Sequence, residues 1–348
     1  RIVTTKLDGE DTASSRTPSV ASPATGEPVR LFSREWFAGM ALRYAMVLVM
    51  VLVIAYFSYR SARFGTVDNL VTILVAAAPP FALIALGQTL VILTGGIDLS
   101  VGSVIAVSAM AGAATAKANP GQVWMTVLVA MFVGLFVGCI NGVLVSRLNV
   151  PPFIATLGTL TAGSGMAYVI GGGAPINGLP AEFGAIANTK ILGLQIPVLL
   201  MIVAIIALAV IMKRTTYGLR VYAVGGNRHA AEIAGINAKN VLFSVYAFSG
   251  LLAGLSGGVM LASRVISGPP NLGQGYELDA IAAVVIGGAS LMGGRGSVWG
   301  TALGLLMIQT LNNGLDILVV PAYWQDVIKG VLIVSAVAVD VWSSRRRT

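Results

Sequence analysis

The sequence predicts an all-α integral membrane protein of about ten transmembrane helices with both termini in the cytoplasm. Three observations carry this expectation. Of 348 residues, 56% are hydrophobic and only 10% charged, with a mean hydropathy of +0.85, whereas soluble domains carry about 25% charged residues. Apolar stretches of roughly 20 residues, each enough to cross a bilayer as a helix, recur from Leu42 to the end, and the short alternating strands of a membrane β-barrel are not evident in the sequence. Lys and Arg, finally, concentrate in alternate loops, as they do where one side of a bilayer is the cytoplasm.

In chain order, residues 1 to about 29 are polar and contain Pro18, Pro23 and Pro28, the composition of a disordered tail. No apolar core follows the early charges, so this stretch does not read as a secretory signal peptide. From Arg30 to Arg43, Leu31, Phe32, Trp36 and Phe37 alternate with arginines, as in a helix lying in the headgroup region. The predicted organisation is a tail with an interfacial helix over 1–40, a transmembrane domain over 41–342 and a basic cytoplasmic tail over 343–348. Ten helices fit the apolar pattern, at about 42–59, 70–94, 99–116, 123–145, 152–170, 196–212, 241–263, 278–292, 298–315 and 323–342. The second contains Pro79-Pro80 and is expected to bend or break there. The eighth reaches at most about 22 Å and is expected inside the protein. With the amino terminus in the cytoplasm, the outer loops hold only Arg60, Arg63, Lys117, Lys190 and Arg264, while sixteen Lys and Arg fall on the inner side. That asymmetry places both ends inside and requires an even number of helices.

The chain is organised around Leu83–Met110, where an apolar helix stops at Gly95-Gly96, turns through Ile97-Asp98-Leu99-Ser100 and resumes. A related run stands near the end, where Leu291-Met292-Gly293-Gly294 precedes Gly300-Thr301. Paired, glycine-interrupted apolar segments in two halves of a membrane protein point to a translocation path. The candidate path residues are Gln88, Thr94, Gly95, Gly96, Asp98, Ser100, Asn141, Gly293, Gly294, Asn312 and Asn313. With Thr89, Thr156 and Thr159, the uncharged ones also suit interhelical hydrogen bonding, and the sequence does not separate the two roles. Asp98 suits an N-cap for the helix that follows or a pathway carboxylate, since charge at membrane depth is costly and commonly functional. Glu277 and Asp279 open the eighth helix in the same way.

Three helices carry a glycine at every fourth position: Gly134, Gly138, Gly142; Gly250, Gly254, Gly258; and Gly296, Gly300, Gly304. Each series gives a bare face for close helix approach, within one subunit or between subunits. The other chemistries find little support. Cys139 is a lone cysteine and His229 a lone histidine, so neither a disulfide within the chain nor a His/Cys metal centre is expected. Gly293–Gly300 reads G-x-G-x-x-x-G with no preceding strand, and no G-x-x-x-x-G-K-[ST] occurs, so nucleotide binding by that route and any other cofactor are not expected. The net charge of +8 reflects membrane topology rather than nucleic-acid binding.

The longest inner loop, Lys213–Asn240, contains Arg228-His229-Ala230-Ala231-Glu232, with Gly235 placed to end a short helix. Its Ala-Ala-x-x-x-Gly pattern resembles the coupling-loop motif of ABC importer permeases, although His229 stands where many such loops have Glu. Four further stretches, Ile92–Ser103, Tyr222–Asn237, Gly275–Thr301 and Leu311–Leu318, resemble the ribose-type sugar permeases of bacterial ABC importers. The resemblance covers about Met46 to Val341. It implies a multi-pass protein of the bacterial inner membrane, embedded in lipid and working as a pair of identical copies. It also implies two partners, a cytoplasmic ATPase that hydrolyses ATP in its stead and a periplasmic sugar-binding protein. The implied docking residues are Arg228, His229, Ala230, Ala231, Glu232 and Gly235. The small residues would let the helix sink into a groove, and Arg228 and Glu232 would meet charges at its rim. The expected function is import of a monosaccharide by alternating access. An ion- or proton-coupled secondary transporter is the rival, opposed by the scarcity of intramembrane carboxylates. A membrane enzyme is opposed by the lack of any nucleophile or acid–base cluster.

Overall fold

The computed structural model describes residues 34–345, with side chains described from Met46 to Ala338 apart from Leu261. Residues 1–33 of the expected tail and interfacial helix, and residues 346–348 of the expected basic tail, lie outside the described residues. The chain divides into two units, Arg1–Ala45 and Met46–Thr348. Of the first, the described part is helical backbone from Arg34.

Helices occupy each of the ten apolar stretches. In order they are α1 (Arg34–Arg60), α2 (Val67–Leu93), α3 (Val101–Ala118), α4 (Val123–Ser146) and α5 (Pro152–Ile170). A short α6 (Ala181–Asn188) and a two-residue hairpin, Lys190–Ile191 with Leu194–Gln195, lead into α7 (Ile196–Arg214). The polar loop folds as α8 (Thr216–Gly226) and α9 (Arg228–Ile233). Then come α10 (Ala238–Val265), α11 (Tyr276–Ile286), α12 (Val298–Ile317) and α13 (Ala322–Arg345). Six of these, α2, α3, α4, α5, α7 and α10, are both long and apolar enough to cross a membrane. At 11 residues, α11 reaches only about 16 Å, half the roughly 30 Å of a hydrocarbon core.

Burial sorts the helices into a centre and a rim. Every residue of α2 from Ala78 to Leu93 is buried, and most of α3 and α10 is buried with it. On the rim, α4, α5 and α7 expose large apolar side chains such as Phe132, Phe136, Ile154, Val169, Val203 and Val210. A helix apolar all round is stable either inside a protein or against lipid, and both solutions occur here.

The Pro79-Pro80 pair does not break α2. The helix instead widens into a π-helical turn over Thr72–Ala77, just before the prolines. Pro79 has no N–H for the Val75 carbonyl; the Arg264 guanidinium donates to that oxygen at 3.1 Å instead. Ser256, in the π-helical turn Leu255–Leu261 of α10, donates to the Pro80 carbonyl at 2.9 Å. The carbonyl that Pro79 leaves without its helical donor is thus served by a side chain of a neighbouring helix.

Two glycine series face each other. A methyl group at Gly134 would strike the Gly250 carbonyl and stand 2.7 Å from the Gly254 Cα; one at Gly138 would lie 3.0 Å from the Gly250 Cα. Helices α4 and α10 therefore touch backbone to backbone within one chain. In the third series, a methyl on Gly300 or Gly304 would strike the Gly287 or Ala283 carbonyl, which closes α12 onto α11. Gly296 departs from the helical pattern: it precedes α12, has φ +148, and faces Ala289 and Leu93.

Candidate functional site

Between α2 and α3 the backbone runs free of helix through Gly95–Leu99. Gly95 adopts φ +78, a left-handed conformation open to glycine at little cost, and its N–H bonds the Ile92 carbonyl at 2.9 Å. From there the chain turns back into the buried centre and places Asp98, 1% exposed, among polar side chains from three other helices.

Those side chains form a directed chain of hydrogen bonds. The Thr159 hydroxyl of α5 donates to Asn141 Oδ1 at 2.8 Å, and Asn141 Nδ2 of α4 donates to Ser100 Oγ at 2.8 Å. Ser100 Oγ donates to Asp98 Oδ1 at 2.6 Å, and the Ser100 N–H reaches the same oxygen at 3.0 Å. From α10, Ser249 Oγ donates to Asp98 Oδ2 at 2.8 Å. Gln88 of α2 holds the Asp98 backbone: its amide nitrogen donates to the carbonyl at 3.1 Å and its oxygen accepts from the N–H at 3.2 Å. Among the described residues no cation pairs with Asp98. A buried carboxylate is costly unless donors satisfy it, and here three do. The N-cap expectation is corrected: Asp98 stands three positions before Val101, the cap residue is Ser100, and its side chain makes no capping bond. The carboxylate fixes the break in place instead.

Beside the break lies a cavity of about 240 Å³, lined among others by Thr94, Gly95, Gly96, Val224, Arg228 and Tyr246. Tyr246 is fully buried, its hydroxyl has no hydrogen-bond partner, and it abuts Gly96, where a methyl group would strike it. The second break packs onto the first. Gly294 N–H donates to the Leu93 carbonyl at 2.9 Å, and Gly293 and Gly294, at φ +84 and +72, lie against Gly225 and Gly226 of α8. Thr94 itself only bonds back to Val91. Asn312 and Asn313 are not brought to the break: Asn312 donates to Asp279 Oδ2 at 3.2 Å, and Asn313 accepts from Asn69 at 2.9 Å.

In the polar loop, Asn227 caps α9 by accepting from the Ala230 N–H at 3.0 Å. The helix ends in a Schellman turn, with Gly235 at φ +83 and the Gly235 and Ile236 N–H groups on the Glu232 and Ala231 carbonyls. Ala231 is buried in the chain's own core, and Arg228 pairs with Glu232 at 3.1 Å. Arg228 and Glu232 thus lie along the exposed side of the helix, with 43% and 44% of their side chains exposed, and His229, Ala230 and Ile233 are exposed beside them, Ile233 at 76%.

The model of the family described as branched-chain amino acid transport system / permease component matches residues 69–337. The chain belongs to that permease family. Among curated relatives, it is 43% identical to the ribose import permease protein RbsC of Bacillus subtilis over 74% of this chain and 80% of that one. It is 38% identical to the ribose import permease protein RbsC of Escherichia coli K12, over 89% and 96%. It is 39% identical to the fructose import permease protein FruF of Bifidobacterium longum, over 80% of each. No solved structure matches.

The protein is thus the permease component of an ABC importer, a multi-pass membrane protein and not an enzyme, with ATP hydrolysed on a separate subunit. Membership of the family implies an ATPase and a binding protein as partners. Several features of the permease escaped the sequence. Tyr246 sits in an unremarkable apolar stretch. Ser249 and Gly225 gave no signal beyond small size. Lys329 did give one, as a lone cation in an apolar helix: its ammonium pairs with Asp279 Oδ2 at 3.1 Å, tying α13 to α11.

Proposed function

We propose that the chain is the membrane-spanning subunit of an ATP-driven importer that moves a monosaccharide, ribose or a related sugar, from periplasm to cytoplasm by alternating access. It crosses the inner membrane about ten times with both ends in the cytoplasm, as the Lys and Arg distribution requires. It works as a homodimer with a cytoplasmic ATPase and a periplasmic sugar-binding protein. The family description names branched-chain amino acids, but the relatives that align along most of the chain are named for ribose and fructose; the sugar reading follows those.

The observation that carries the reading is the capped helix α9, held on the chain's core by Ala231 and presenting Ala230 and Ile233 outward, directly beside the helix break. A solvated connector has no need of an exposed isoleucine on a capped helix. An exposed alanine and isoleucine beside the exposed Arg228 and Glu232 suit a partner groove with an apolar floor and a charged rim. Gln88, Asp98, Ser100 and Asn141 then hold the break that gates the path, with Thr94, Gly95 and Gly96 at its rim. The rival ion-coupled transporter needs a carboxylate free to load and unload an ion. Asp98 and Asp279 are both occupied by donors; Glu277, whose Oε2 has no hydrogen-bond partner among the described residues, is the one carboxylate of the three left for that role.

The test is uptake into proteoliposomes holding the permease and the ATPase, with the binding protein and labelled ribose outside. Uptake is expected to require ATP and both partners and to survive collapse of proton and sodium gradients. Uptake without the ATPase, or its loss on adding ionophores, would refute the proposal.

A further inference from the structure

Three backbone segments remote in sequence meet main chain to main chain at Leu93, Gly225 and Gly294. The first is the end of α2 at Leu93–Gly96, the second Gly225-Gly226 at the end of α8, and the third Gly293–Gly296 ahead of α12. Gly294 N–H donates to the Leu93 carbonyl at 2.9 Å. A methyl group on Gly225 would overlap that same carbonyl and stand 2.7 Å from the Gly294 nitrogen. One on Gly293 would lie 2.7 Å from the Gly225 carbonyl and 2.9 Å from the Gly95 nitrogen, and one on Gly294 would lie 2.7 Å from the Gly226 Cα. A second bond ties the same parts together: the Tyr222 hydroxyl of α8 donates to the Gly296 carbonyl at 3.0 Å. Burial raises the Tyr222 phenol above its ordinary pKa, so it remains a neutral donor.

The next residue after Gly226 is Asn227, the N-cap of α9. A displacement of α9 therefore acts on Gly225-Gly226 with only one residue between. Side chains in contact absorb small displacements by changing rotamer; main chain pressed on main chain has no such freedom, and a packed junction moves as a unit or not at all.

We propose that this glycine junction is the element that carries motion from the ATPase-docking helix α9 into the helix break, with Gly225 as its positioning residue. The proposal rests on the reading of Lys213–Asn240 as the docking loop. Through Leu93, a shift of Gly225 reaches Thr94–Gly96 and so the cavity lined by Tyr246. The second break, at Gly293–Gly296, is driven from the same point, so that one input moves both halves of the permease.

The molecule supplies its own control. Gly225 is closed in by backbone on two sides, whereas a methyl at its neighbour Gly226 would meet nothing within 4 Å. Gly225→Ala, Gly226→Ala and Tyr222→Phe are compared in proteoliposomes with the ATPase, the binding protein and ribose, reading ATPase retention, basal hydrolysis, sugar-stimulated hydrolysis and uptake. Gly226→Ala should match wild type throughout. Gly225→Ala should retain the ATPase and basal hydrolysis but lose sugar stimulation, with uptake down about tenfold, equivalent to about 1.4 kcal/mol. Tyr222→Phe, which adds no bulk, should lose stimulation partially, and it decides the matter if Gly225→Ala fails to fold. Wild-type stimulation in Gly225→Ala, wild-type coupling in Tyr222→Phe, or equal uncoupling by Gly226→Ala overturns the proposal. A wild-type permease that fails to retain the ATPase refutes the docking reading itself, and the junction's role with it; that outcome differs from the others because it precedes any substitution.

Discussion

Replacing Asp98 by asparagine separates a carboxylate that holds the helix break from one that works in transport. Asp98 accepts from Ser100 N–H at 3.0 Å, from Ser100 Oγ at 2.6 Å and from Ser249 Oγ at 2.8 Å. In Asp98→Asn the amide oxygen keeps both Ser100 bonds, and the amide nitrogen faces Ser249, whose hydroxyl rotates to accept. Three bonds survive but lose their charge. Bonds to a charged group contribute about 1.5–3 kcal/mol and neutral ones about 0.5–1.5, so the loss is about 1 kcal/mol each and about 3 in all. Against it stands the relief of burying an ion, several kcal/mol in effect. The two nearly cancel, and the expected net change is about 1 kcal/mol, a shift in Tm of about 1–2 °C for a chain of this length. Asp98→Ala is a different perturbation. The Ser100 N–H cannot turn to another acceptor, and each orphaned buried donor costs about 1–3 kcal/mol, so folded yield should fall sharply. The assays are thermal unfolding of the detergent-solubilised permease and ribose uptake after reconstitution with its partners. If Asp98→Asn unfolds like wild type yet transports nothing, the charge acts in transport and the structural argument is wrong. An Asp98→Ala protein as stable as wild type would refute it from the other side.

Three further outcomes are expected. Lys329→Met leaves Asp279, 4% exposed in its side chain, with Asn312 as its remaining side-chain partner; breaking one side of a buried pair costs about 3–5 kcal/mol, and Asp279→Asn added to Lys329→Met should restore much of the lost thermal stability. A double variant no more stable than Lys329→Met would show that the pair is not what joins α13 to α11. Gly138→Leu drives a large side chain into the Gly250 backbone across α4 and α10, so monodisperse protein should be lost in size-exclusion chromatography, and a wild-type elution profile would contradict the packing. Gly235→Val forces a β-branched residue to φ +83, a strain of about 1–3 kcal/mol; co-purification of the ATPase should fall in this variant and persist in Gly235→Asn, which tolerates that conformation, and equal retention in both would remove α9 as the docking element.

The places where sequence reasoning went astray share one feature. Asp98 looked like a helix cap because a carboxylate just before an apolar helix usually is one; two of its three bonds come from the neighbouring Ser100, but the third comes from Ser249, 151 positions away. Pro79-Pro80 looked like a bend or break in the helix because proline strands a carbonyl; the helix continues past them, and Arg264, 189 positions from Val75, takes that carbonyl up. Gly296 extended a four-residue series by arithmetic alone, since the helix begins two residues later.

What the sequence determined by itself is what short-range physics controls. Hydropathy and the need to satisfy every backbone group within a bilayer place the helices, glycine pairs place the two interruptions, and Asn227 and Gly235 bound α9 through bonds spanning three to five residues. Only the tertiary structure decided which polar group serves which. It set the glycine face of α4 against that of α10, brought Thr159, Asn141, Ser100 and Ser249 to one carboxylate, paired Lys329 with Asp279, and closed Leu93, Gly225 and Gly294 into one junction. In an apolar interior every polar group and every bare backbone must find a complement, and the sequence states the need at each position, whereas the packing of distant helices supplies the partner.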